Sequence, residues 1–73
     1  MEKIEFAYVN TFGFQKNENL FVFKLLGQDQ EFYIALDNLA AKTWIVKIVQ
    51  CYREYVNLSF VFDSQFQVIN IIE

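Results

Sequence analysis

The side chains able to move a proton or attack a substrate are nine carboxylates, four tyrosines, six Lys/Arg and one thiol, with no histidine. Acid–base work by a carboxylate pair requires two such groups held about 5–10 Å apart across a cleft. Asp37 and Asp63 instead fall where elements end, the usual places for a capping or turn aspartate. Cys51 stands beside Tyr52 with no base in its neighbourhood, and a thiol nucleophile needs one. Its expected role is that of a small, semi-buried filler on a helix. These residues predict no catalytic centre, no metal site and no cofactor.

Composition removes further classes. The chain has 73 residues, enough for one domain (1–73) and one core. Apolar residues make up 55% and aromatics 19%, which excludes a disordered tail. One cysteine cannot close an internal disulfide, nor can it hold zinc without a second soft ligand. The net charge is −3. Lys3, Lys16, Lys24, Lys42, Lys47 and Arg53 are scattered among more numerous carboxylates, so no basic groove for phosphates is expected. No apolar run approaches the ~20 residues of a spanning helix. The charged, alternating start Glu2-Lys3-Ile4-Glu5-Phe6 lacks the apolar stretch of a leader peptide. A native start at Met1 then implies a cytoplasmic chain, and a removed leader a secreted one.

Periodicity places the elements that must position any site. From Lys3 to Val9 the chain alternates, with Ile4, Phe6 and Tyr8 on one side and Lys3, Glu5 and Ala7 on the other, as in a half-buried strand. Phe12 and Phe14 keep that parity across Gly13, so the strand is expected to continue through a bulge or bend there. Lys16-Asn17-Glu18-Asn19 reads as a polar turn. Leu20–Leu26 is apolar on both faces apart from Lys24, and Glu31–Leu36 supplies a third strand after the Gly27–Gln30 turn. The period then changes. Ala41, Trp44, Ile45, Ile48, Tyr52 and Tyr55 recur at helical spacing, predicting a helix from about Asn38 to Tyr55. Asp37 or Asn38 is its expected N-cap and Asn57 its left-handed end. Leu58–Phe62 and Phe66–Ile72 form two last strands around Asp63-Ser64-Gln65. The expected fold is mainly β with one helix, a five-stranded OB-fold-like barrel of order β-β-β-α-β-β.

The apolar content exceeds what one such barrel can hide. Leu20–Leu26 is apolar on both sides, Ile69 and Ile71 oppose Phe66 and Val68, and Val46, Val49 and Cys51 lie outside the main helical stripe. Monomers avoid large exposed apolar patches, and a domain near 70 residues without bridges or metal draws little net stability from its own core. Self-association answers both, so a homo-oligomer, with a closed ring as one form, is expected. For a ligand, Asn10, Thr11, Lys16 and Asn17 offer hydrogen-bonding groups at turn and loop positions. Trp44 is most simply a core residue of the helix stripe. Its indole is the other candidate for contact with a partner or a sugar ring.

The order Lys3–Tyr8, Leu20–Lys24 and Glu31–Ala35, then Leu36-Asp37-Asn38-Leu39-Ala40-Ala41-Lys42-Thr43-Trp44, then the hairpin Leu58–Asp63 with Gln67–Ile72, resembles the OB-fold B subunits of AB-type bacterial toxins. The resemblance lies in pattern and element order across nearly the whole chain. It implies a pentameric ring with edge strands paired between subunits, helices lining a channel, and glycan binding multiplied by avidity. The chain departs from those subunits in lacking their usual disulfide, and their sugar-binding residues map to no motif here. Three readings follow. The first is a non-enzymatic, self-associating module that binds a cell-surface glycan. The second is a cytosolic protein-interaction module of immunity, anti-defence or adaptor type, and the third a single-stranded nucleic-acid-binding OB domain.

Overall fold

A computed structural model of the chain describes residues 2–72. It is mainly β with one helix, but it has six strands in two three-stranded antiparallel sheets rather than a closed five-stranded barrel. In chain order these are β1 (Lys3–Ala7), β2 (Val9–Gln15), β3 (Leu20–Leu25), β4 (Glu31–Ala35), α1 (Ala41–Glu54), β5 (Leu58–Phe62) and β6 (Val68–Ile72). The element order is therefore β-β-β-β-α-β-β, with one strand more than the alternation predicts. One sheet is ordered β1-β5-β6 and the other β2-β3-β4.

The extra strand arises because the first expected strand serves both sheets. It breaks at Tyr8: β1 pairs with β5, whereas β2 pairs with β3. The ladder then slips by one residue, with Val9 opposite Leu25 and Thr11 opposite Lys24, so Asn10 is the extra residue of a β-bulge. The expected bend at Gly13 is absent, since Gly13 pairs regularly with Val22. Parity cannot be carried across a bulge, because the extra residue inverts it: Val9 opposes Leu25 and Phe12 opposes Phe23, so both lie on the same face of the sheet. At their far ends the sheets approach through Tyr33 and Gln67, which form a parallel bridge, and the Tyr33 amide donates to Phe66 O at 3.0 Å.

The core lies between the sheets and is largely phenylalanine. Phe21, Phe23, Phe32, Phe60 and Phe62 are all buried. Phe32 and Phe62 stack across the sheets with centroids 4.1 Å apart. Such pairs add to the stabilisation that comes from the area they bury. Helix α1 covers this core with Ala41, Ile48 and Cys51, while Trp44 and Ile45 pack against it half-buried. Cys51 is thus fully inside, and the last two residues of the expected stripe, Tyr52 and Tyr55, are exposed.

The helix starts with its stripe at Ala41, three residues later than the expected Asn38, and differs at both caps. Asn38 makes an Asx turn one step ahead of it, its Oδ1 accepting from the Ala40 amide at 2.8 Å, and the helix proper starts at Ala41. It ends on Tyr55 rather than Asn57, with Tyr55 left-handed at φ 54° and its amide donating to Cys51 O. Phe66, expected in the last strand, belongs to the preceding turn at φ 64°. Asp63 organises that turn, its Oδ1 accepting from the amides of Gln65 at 2.8 Å and Gln67 at 3.0 Å. Among the described residues no helix is long and apolar enough to cross a membrane.

Candidate functional site

A concavity of about 540 Å³ opens where the broken first strand meets the C-terminal end of α1. Tyr8, Val9 and Asn10 line one side, Leu26 the bottom edge, and Tyr52, Arg53 and Tyr55 the other side. Its size falls in the range of small-ligand clefts, roughly 300–1,000 Å³. Each wall has a local cause. The sheet switch at Tyr8 and the bulge at Asn10 turn these side chains away from regular pairing, a common function of bulges beside sites. The Leu26 amide donates to Tyr8 O at 2.9 Å and ties the end of β3 to the break. Tyr52 is braced edge-on by Phe12 of β2, with centroids 5.2 Å apart.

Cys51 fastens the two walls from beneath. Its thiol donates to Val56 O at 2.7 Å, and the Val9 amide is directed at the sulfur. Burial pushes the thiol above its ordinary pKa, an effect that the Val9 amide partly offsets. The folded chain therefore holds this proton at pH values where the unfolded chain releases it. That contribution to stability is complete below the free-thiol pKa of about 8.5 and is lost progressively as pH rises above it. Denaturant titrations should show stability falling as pH rises above about 8.5, with Cys51→Ala removing that slope. Ellman's reagent should modify Cys51 only as the chain unfolds.

The polar groups of the cleft are unspent. Among the described residues Arg53 has no ion pair, and neither the three tyrosine hydroxyls nor the Asn10 amide has a hydrogen bond. The last carbonyls of α1 add acceptors, because the final turn of a helix leaves them without intrahelical partners. The lining contains no carboxylate. Aromatic faces, three kinds of donor (hydroxyl, guanidinium and amide) and free acceptors thus surround one space. The lining also holds no Ser, Thr, Cys, Lys or His.

Tyr55 marks the site most clearly. A bulky side chain at positive φ is an outlier that glycine would relieve, and such outliers gather at functional sites. This one closes α1 through its amide on Cys51 O, yet the ring is 80% exposed, so side-chain packing does not select a tyrosine there.

The residues singled out from sequence are dispersed. Asn10 lies in the cleft. Thr11 lines a separate trough of about 270 Å³ that runs over β2 and β3 to the start of β4, with Gly13, Val22, Lys24 and Glu31. Lys16 and Asn17 lie together on a 3-10 turn (Lys16–Glu18) that borders a third depression of about 380 Å³. Trp44 is half-buried against the core, as its place in the helical stripe suggests. Sequence reading did not single out Tyr8, Tyr52, Arg53 and Tyr55 as binding residues. The available signal was chemical: a hydroxyl at the end of an otherwise aliphatic stripe requires water or a partner. Comparison with protein-family models, with curated proteins and with solved structures returned no match.

Proposed function

We propose that this chain is a non-enzymatic binding module that takes a saccharide in the tyrosine cleft and operates as an assembly of copies. The observation that carries the reading is Tyr55, an exposed ring kept at a strained backbone position in the lining of this cleft. Sugar rings present apolar faces to aromatic side chains and hydroxyls that both donate and accept. Asn10, Arg53, the tyrosine hydroxyls and the helix-end carbonyls answer each of these needs.

A glycan array probed with the purified protein tests the proposal. Binding to a defined subset of glycans is expected, falling about tenfold in Arg53→Ala, the scale of one hydrogen bond to a charged group. Asn10→Ala should have a smaller effect. No glycan above background, or binding indifferent to both substitutions, overturns the reading.

One observation favours a second reading, a protein-interaction module. Tyr and Arg dominate the energetics of protein interfaces, and Leu26 is exposed at the cleft's edge as an apolar contact. A protein that co-purifies with the wild-type chain, and is lost with Arg53→Ala, would favour it over the saccharide.

A further inference from the structure

The outer face of the β1-β5-β6 sheet presents Ile4 and Phe6 on β1, Ser59 and Val61 on β5, and Asn70 and Ile72 on β6. Register puts them together: Ile4 opposes Val61, Phe6 opposes Ser59, Ser59 opposes Ile72 and Val61 opposes Asn70. Ile4 is 63% exposed, Phe6 68% and Ile72 49%. Val61 lies at the centre of the face and is buried without belonging to the core between the sheets, so its neighbours on this outer face cover it. The alternation of the first strand is thus as expected, but its apolar side points out. Lys3 and Glu5 take the other side and pair at 3.8 Å, with Gln28 Nε2 donating to Glu5 at 3.1 Å.

We infer that this face is the contact between copies of the chain, two sheets stacking about a two-fold axis. The inference rests on the assembly part of the proposed function and supplies its surface. Three arguments select a second copy as the occupant. None of the six outward side chains is charged, so stacking like on like brings no repulsion even though each chain carries −3. A face built for a foreign partner generally shows charge complementarity, whereas faces that meet their own copy are the more apolar kind. The area is also sufficient. Three strands of five residues present roughly 500 Å² per copy, near the lower limit for a specific interface, which points to a reversible dimer rather than an obligate one. Stacked sheets lie about 10 Å apart, a spacing that Ile and Phe side chains fill.

Sedimentation equilibrium over a concentration series tests this, with a dimer expected to dissociate reversibly in the micromolar range. Phe6→Asp should weaken association about 100-fold or more, because each copy would then bury an unpaired carboxylate. Phe6 is exposed, so an unchanged circular-dichroism spectrum will show that the fold persists. Ser59→Cys, on the central strand, should crosslink two copies under mild oxidation, whereas pairing of edge strands would keep those positions apart. A wild-type chain that stays monomeric at high concentration overturns both this interface and the assembly reading. An oligomer indifferent to Phe6→Asp and uncrosslinked at residue 59 overturns the interface alone. Glycan-array binding reports on the cleft independently of either result.

Discussion

Phe23→Ala should cost about 3–5 kcal/mol of folding stability, the range for removing a buried phenyl ring from a packed core. Phe23 is 1% exposed and stands at the junction of both sheets. Its ring centroid lies 5.5 Å from Phe60, 5.8 Å from Phe32, 6.2 Å from Phe21 and 6.4 Å from Phe62. Truncation leaves a cavity bounded by rigid rings on two sheets, which relax poorly into it. A chain of 73 residues has on the order of 4–11 kcal/mol in total, so the substitution takes a large share and leaves a sizeable unfolded fraction at 37 °C. Urea titration at fixed protein concentration reads the loss as a fall in midpoint with little change in slope, and fixing the concentration removes the contribution of self-association. Phe14→Ala is the control. Phe14 is exposed, with its ring edge-on to Phe21 at 5.1 Å, so its loss should cost under about 1 kcal/mol. Equal effects at the two positions would mean that the aromatic cluster is not the core.

What was legible in the sequence follows from which physical signals are local. The change from alternating to helical spacing after Leu36 marks α1 because side-chain direction repeats every two residues in a strand and every 3.6 in a helix. Asp63 reads as a turn residue for an equally local reason, its short carboxylate reaching the amides two and four residues on. The division of the first strand at Tyr8 is different. It depends on β3 and β5 lying in separate sheets, a relation between residues far apart in sequence. The sense of β1 was hidden for a related reason. Alternation says that Ile4 and Phe6 share a side, but the partner strand decides which side is inward, and β5 turns Phe60 and Phe62 to the core opposite Glu5 and Lys3. The site was less legible still. Asn10 was visible as a polar group near a bend, whereas Tyr52 and Tyr55 fit the helical stripe and were absorbed into the expected core. The helix ends beside the bulge at Asn10, and only that juxtaposition makes the three tyrosines a cleft.

Tyr55→Gly should do two opposite things, raising stability and weakening saccharide binding. A non-glycine residue in the left-handed region costs roughly 1–2 kcal/mol, and glycine recovers most of this while giving back some as added freedom in the unfolded chain. The net gain is about 0.5–1 kcal/mol, which in a domain of this size raises Tm by about 3–6 °C. Little packing is lost in exchange, because the ring is exposed and the cap itself is made by the backbone, from the Tyr55 amide to Cys51 O. Binding should fall about tenfold, the loss of one aromatic face worth about 1.4 kcal/mol. Tyr55→Asn separates the two effects further. Asparagine tolerates the left-handed region better than tyrosine and keeps a polar group, so it should recover part of the stability while still losing the stacking surface. Thermal melts and the array signal, measured on the same preparations, give both axes at once. A Tyr55→Gly chain that melts higher and binds as before would show that the strained tyrosine serves no ligand. One that melts lower would show that the ring packs in a way its exposure does not reveal. Opposite movement of the two readouts is the pattern of a residue retained for binding at a cost in stability.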